Sequence, residues 1–220
     1  MSTYLKRIFA IMFGAVGISA ITSYATLKWG LPLVFTATGL TPLFYIATFG
    51  GLILSIYTQA RVFHMKPDIA MLFLGIYSVL MGFVMTPMIA IVAAVNPASI
   101  LQAFFIATVM FGCMALFGYK TVKDLGFLGV FLFVGMIGLI ITGVVSMIWP
   151  LGSVGNTIVS AIGVLVFALF TAYDMQFLKR AFNQVGSAQK KQLAVLGALH
   201  LYISFIAMFQ YVLSLFNNNK

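Results

Sequence analysis

Charge is what this chain has least of. Only 7% of its 220 residues are Asp, Glu, Lys or Arg, and 3 of these are acids. So little charge cannot cover the surface of a water-soluble domain, which excludes a soluble enzyme or binding module. Cysteine is nearly missing too. Cys113 is the one thiol, so an internal disulfide and a cysteine-built metal site are both ruled out. It lies within an apolar run and reads as a small buried packing residue. No glycine-rich turn links a strand to a helix for a nucleotide, and no HExxH pair is present. Nor are there two membrane carboxylates to hold a metal or to divide acid and base roles, and no Ser, His and Asp match in depth and spacing. These absences predict a protein that is not an enzyme and that needs no cofactor or resident metal. Tight calcium binding is disfavoured for the same reason, since Ca²⁺ takes several oxygen ligands and usually more than one carboxylate.

Apolar residues are abundant instead, at 63% of the chain, with a mean hydropathy of +1.14. A bilayer-spanning helix needs roughly 20 such residues. Seven runs qualify, at 8–27, 33–57, 69–95, 100–119, 125–149, 154–178 and 193–216. The sequence therefore predicts an all-α membrane protein, a seven-transmembrane-helix bundle forming one domain over 1–220. Connections are too short for a soluble domain. The third run contains Pro87, where a kink or an early end is expected. Gly14, Gly17, Gly50, Gly51, Gly135, Gly138 and Gly163 lie within spans, where small residues let helices pack closely. The first run follows Lys6 and Arg7 as a signal peptide's would, but it lacks a small-residue cleavage pattern and is expected to be a retained helix.

Twelve Lys and Arg against 3 acids leave a net charge of +9. On a soluble domain this would suggest nucleic acid. Here the cations sit singly or in pairs between apolar runs, without interleaved aromatics. They read as topology signals and contacts to anionic headgroups, with the lipid bilayer rather than nucleic acid as partner. Lys6, Arg7, Arg61, Lys66, Lys120, Lys123, Lys179, Arg180, Lys190 and Lys191 fall on alternate connections and so on one side, leaving Lys28 and Lys220 on the other. The positive-inside rule then places the N-terminus in the cytoplasm and the C-terminus outside.

Asp174 is the carboxylate that falls inside an apolar run, in AIGVLVFALFTAYDMQFLKR at 161–180. An ionised group there is costly and is a functional-site hypothesis by default. It precedes Lys179 by five residues, about 7 Å of helix rise from the cytoplasmic boundary. One reading is an aspartate that snorkels to water. The other is a buried carboxylate whose charge depends on pH and on a partner. Candidate partners are Arg61, which closes the second run on the same side, and His200 and Ser204, which share a face of the seventh helix at i and i+4. A histidine facing that aspartate would titrate between about pH 5 and 8.

Several stretches resemble the transmembrane BAX inhibitor motif (Bax inhibitor-1-like) family in its bacterial form. They are TPLFY at 41–45, YSVLMG at 77–82, NPASILQAFFIATVMFGCMALFGYKTVK at 96–123 with Asp124 and Leu125 after it, AYDMQ at 172–176 and ALHLY at 198–202. The resemblance covers nearly the whole chain. It implies a seven-helix bundle with a pH-sensitive cation leak, chiefly of Ca²⁺. In the family a pair of aspartates near the cytoplasmic mouth gates the pore and an arginine latches it. The first aspartate corresponds to Asp174 and the arginine to Arg61. The second is replaced, because the family's Leu-Tyr-Leu-Asp-Phe reads LYISF at 201–205 and puts Ser204 there. The family's glutamate on the second helix is also lost, with Gly50 and Gly51 in that region.

Two carboxylates in contact raise one pKa strongly, and a serine cannot do this. A pH response is therefore expected from a mixed Asp174–His200 arrangement, or is weakened. The function expected is a multi-pass inner-membrane protein passing cations with an Asp174 gate. The alternative is a regulatory partner of membrane proteins, such as a membrane-bound AAA protease, without conductance.

Overall fold

The computed structural model describes residues 2–37, 39–186 and 189–218. Lys220, one of the cations assigned above to the outer side, lies outside them. Helix α1 (Ser2–Trp29) leads into a four-residue helix α2 (Leu31–Val34) and a hairpin of β1 (Phe35–Thr36) and β2 (Gly39–Leu40). Then follow α3 (Pro42–Arg61), a 3-10 turn (Val62–His64), α4 (Pro67–Val95), α5 (Ala98–Lys120), α6 (Gly126–Ile148), α7 (Gly152–Gln184) and α8 (Lys190–Asn218). Seven of these helices, all but α2, are long and apolar enough to cross a bilayer. The all-α seven-helix expectation holds.

The largest departure from the expected runs is at the second. The second run does not start its helix at 33. Leu31–Val34 form α2, Phe35–Thr36 pairs with Gly39–Leu40, and α3 begins at Pro42, where Thr41 Oγ1 accepts from the Phe44 N–H at 3.1 Å. A threonine cap with proline in the first turn is a strong helix start, and it wins over the apolar residues before it. Helix α4 runs through Pro87 to Val95, the end expected for the third run, so of the two expectations at Pro87 the early end is not met. The proline removes one donor, leaving the Phe83 carbonyl without its ladder partner. Inside a bilayer every other backbone group of a 29-residue helix is still best satisfied by remaining helical.

The chain divides into two compact units. The first comprises Met1–Ala94 and Ala181–Tyr202. There α1 and α4 approach closely, since a Cβ on Gly82 would lie 2.8 Å from the Thr22 side chain. Ser19 Oγ donates to the Ser78 carbonyl at 2.8 Å and shares a 2.6 Å hydrogen bond with Tyr202 Oη. The Tyr202 ring meets Tyr77 edge to face at 5.8 Å. The hydroxyls are buried but satisfied, as a membrane interior requires.

The second unit comprises Val95–Arg180 and Ile203–Lys220. Helix α5 buries Ser99, Ala103, Ala107, Phe111, Ala115 and Gly118, a stripe of mostly small residues at near-i+4 spacing. Phe111 meets Phe205 of α8 edge to face at 5.5 Å. Cys113, expected to be buried, is instead exposed. Two residues beyond Phe111 it is turned about 200° from that stripe, so it lies on the outer side of α5. In α8 78% of the apolar window is buried, whereas α6 has 11% and exposes Phe, Val and Ile side chains suited to lipid.

Candidate functional site

Helix α7 carries the site because two of its stripes are occupied at once. The first faces α8 and is formed by Ser160, Gly163, Phe167 and Asp174, at spacings that keep one helical face. Ser160 Oγ donates to Ser214 Oγ at 2.8 Å. A Cβ on Gly163 would lie 2.6 Å from the Tyr211 ring, and Phe167 stacks on that ring with centroids 6.0 Å apart. One end of this antiparallel seam is the candidate site. Ser204 Oγ donates to Asp174 Oδ2 at 3.4 Å. The aspartate is 5% exposed and the serine 3%. Of the two readings of Asp174, the structure selects the buried carboxylate over one that reaches out to water. A hydroxyl suits either protonation state, since it donates to the anion and can accept from the acid.

The second stripe is Ala172, Gln176, Lys179 and Arg180, at i, i+4, i+7 and i+8, and it meets α5 and the α5–α6 connector. Gly118 of α5 lies against the Ala172 backbone with no room for a Cβ. Gln176 Nε2 donates to the Lys123 carbonyl and its Oε1 accepts from the Leu125 N–H, both at 2.8 Å. Lys179 Nζ donates to the Tyr119 carbonyl at 2.9 Å and lies 5.2 Å from that tyrosine's ring centre. Arg180 Nη1 pairs with Asp124 Oδ1 at 2.8 Å, and the same oxygen accepts from the Gly126 N–H. The Gly126 N–H first, and the Arg180 guanidinium after it, hold the exposed Asp124 carboxyl below its ordinary range.

Of the residues named from sequence, Asp174 and Ser204 are brought together within the second unit. Arg61 and His200 belong to the first. Arg61 is the last residue of α3 and is exposed, and His200 is half-buried on α8, one turn before Ser204. Gly51 is buried on α3, where a Cβ would meet Tyr77 at 3.8 Å, whereas Gly50 has open space beside it. Gln176 escaped the sequence reading. Its signal was its place at the end of AYDMQ, as a long polar amide two residues from Asp174 in an apolar helix.

Comparison with known proteins agrees with this architecture. A family profile described as inhibitor of apoptosis-promoting Bax1 matches residues 1–220. The chain is 33% identical to the inner membrane protein YbhL of Escherichia coli K12 over 172 residues, 77% of this chain and 72% of that one. It is 34% identical to an uncharacterized protein of Caulobacter vibrioides over 185 residues, 83% and 72% of the respective chains. An uncharacterized membrane protein of Streptococcus pyogenes serotype M1 is 28% identical over 220 residues, all of this chain and 94% of the other. With a whole-chain family match, seven membrane-length helices and inner-membrane relatives, the chain belongs to the Bax inhibitor-1-like family and is a multi-pass protein of the bacterial inner membrane.

Proposed function

We propose that the protein is a slow cation leak, with Ca²⁺ as the chief permeant ion, gated by protonation at Asp174 near the cytoplasmic mouth. The observation that carries this reading is the Asp174 carboxylate, 5% exposed within α7 and hydrogen-bonded by Ser204 of α8. A carboxylate in a low-dielectric interior changes its surroundings strongly when it gains or loses a proton. The ionised form draws in cations and takes the serine's proton in a hydrogen bond, and the neutral form does neither as well. The second carboxylate of the family's pair is a serine here, so the response to pH rests on fewer charges. In this reading the N-terminus is cytoplasmic, which puts the basic ends of α5 and α7 at the inner leaflet. Arg61 is the latch and His200 a second titrating group.

The test is cation flux into liposomes carrying a trapped calcium indicator, followed against pH for the parent protein, Asp174→Ala, His200→Ala and Arg61→Ala. Flux in the parent that depends on pH, and a profile flattened by Asp174→Ala, are the expected results. A pH profile of His200→Ala identical to the parent's rejects the histidine's part. Flux no greater than in empty liposomes rejects the leak, and copurification of a membrane-bound AAA protease would then favour a regulatory role.

A further inference from the structure

Across the seam of α7 with α8, the Ser204–Asp174 hydrogen bond is 3.4 Å, at the long end of the useful range. A carboxylate carried about 6 Å from its helix axis moves about 2 Å when the helix turns by about 20°. Such a turn would part Asp174 from Ser204. Something must therefore hold the rotational phase of α7 at this level.

Gln176 meets that requirement. It is 5% exposed, and both ends of its carboxamide are engaged by backbone atoms of the α5–α6 connector, at Lys123 and Leu125. Leu125 is itself 7% exposed, so its bond to Gln176 forms out of water and is costly to leave unmade, while the bond to the Lys123 carbonyl is part-buried. Two residues apart, Gln176 and Asp174 project about 200° from each other. Anchoring one side of the helix to the connector fixes the direction of the other side toward α8. The neighbouring contacts of the stripe, Lys179 to the Tyr119 carbonyl and Arg180 to Asp124, act at the helix's exposed end, whereas Gln176 acts from a shielded position. Of side chains of similar size, only glutamic acid in its protonated form could also satisfy both backbone groups. Glutamate when ionised still accepts from Leu125 but cannot donate to Lys123, and leucine does neither.

We propose that Gln176 is a positioning residue for the Asp174 gate, clamping the α5–α6 connector so that α7 presents Asp174 to Ser204. The role in gating rests on the leak reading above, but the positioning itself does not.

Two measurements on the full chain separate them. In a Cys113→Ser background, Asp174→Cys with Ser204→Cys reports the approach of α7 to α8 as a rate of oxidative cross-linking. Adding Gln176→Leu is expected to slow it about tenfold, the factor one net buried hydrogen bond commands. Gln176→Glu, which keeps one of the two bonds, falls between. In liposomes, Gln176→Leu is expected to alter cation flux when Asp174 is present and to change nothing further in an Asp174→Ala background. An unchanged cross-linking rate overturns the proposal, as does an equal effect of Gln176→Leu on flux in both backgrounds. If Asp174→Ala alone leaves flux untouched, the leak reading fails while the cross-linking rate still decides the role of Gln176. Should Gln176→Leu not fold, Gln176→Glu carries both measurements.

Discussion

Gly118→Ala puts the approach of α5 to α7 under direct test. A Cβ built on Gly118 lies 2.6 Å from the Ala172 Cα and 2.7 Å from its carbonyl carbon. Carbon atoms settle at about 3.5–4.0 Å, so the two backbones must part by about 1 Å, and neither has a flexible side chain that can yield instead. Overpacking of this kind costs about 1–3 kcal/mol, against a gain of about 0.5–1 kcal/mol for replacing glycine by alanine within a helix. The net runs from about zero to a loss of about 2.5 kcal/mol, or a fall of up to about 10 °C in Tm for a chain of this size. Gly112 is the control on the same helix, because a Cβ there has nothing within 4 Å. Gly112→Ala is expected to raise Tm by about 1–4 °C. Thermal unfolding of both variants in the same detergent, followed by loss of the monodisperse species, gives the comparison. If Gly118→Ala is as well tolerated as Gly112→Ala, helix α7 does not lie where it is described, and the environment assigned to Asp174 two residues on is wrong as well.

Other outcomes follow from single contacts. Tyr202→Phe removes one of the partners of Ser19 Oγ and should cost about 1 kcal/mol, and combining it with Ser19→Ala should add less than the sum of the two in thermal unfolding. Cys113→Leu, on the exposed side of α5, should stay within about 0.5 kcal/mol of the parent. Ala115→Leu, which is 5% exposed, should destabilise by about 1–3 kcal/mol. The Asp124 carboxyl is held below its ordinary range by Gly126 and Arg180, so whatever it contributes is present above about pH 4 and is lost as pH falls through its lowered value. Between about pH 5 and 8 it does not titrate. Asp124→Asn should therefore leave the midpoint of a flux–pH curve unmoved, and a shifted midpoint would make the connector the sensor.

Seven helices were legible because a bilayer demands long apolar runs, and that demand outweighs local detail. Where polar chemistry set a boundary, the runs misled. The hairpin at Phe35–Thr36 and Gly39–Leu40 interrupts an apolar stretch, and Thr41 with Pro42, a readable cap, marks the true start of α3. Helix α7 is 33 residues long, about 50 Å at 1.5 Å per residue. Its last turns leave a hydrocarbon core about 30 Å thick, so hydropathy could not follow it to Gln184. The outward phase of Cys113 was hidden because an all-apolar helix has no amphipathic period, although Ala103, Ala107, Phe111 and Ala115 mark the packed face by size. Asp174 was legible as a carboxylate among apolar residues, and Ser204 as the residue aligned with the family's second aspartate. Gln176 was not, because its role depends on which connector it meets in space.

The central claim is that protonation at the Asp174–Ser204 contact governs cation passage, and Ser204→Asp tests it most directly. Two carboxylates at that separation cannot both ionise freely. In liposomes the midpoint of the flux–pH curve should then move upward by about one pH unit or more, while Asp174→Asn flattens the curve. A midpoint identical to the parent's in Ser204→Asp, with pH dependence surviving in Asp174→Asn, would contradict the account.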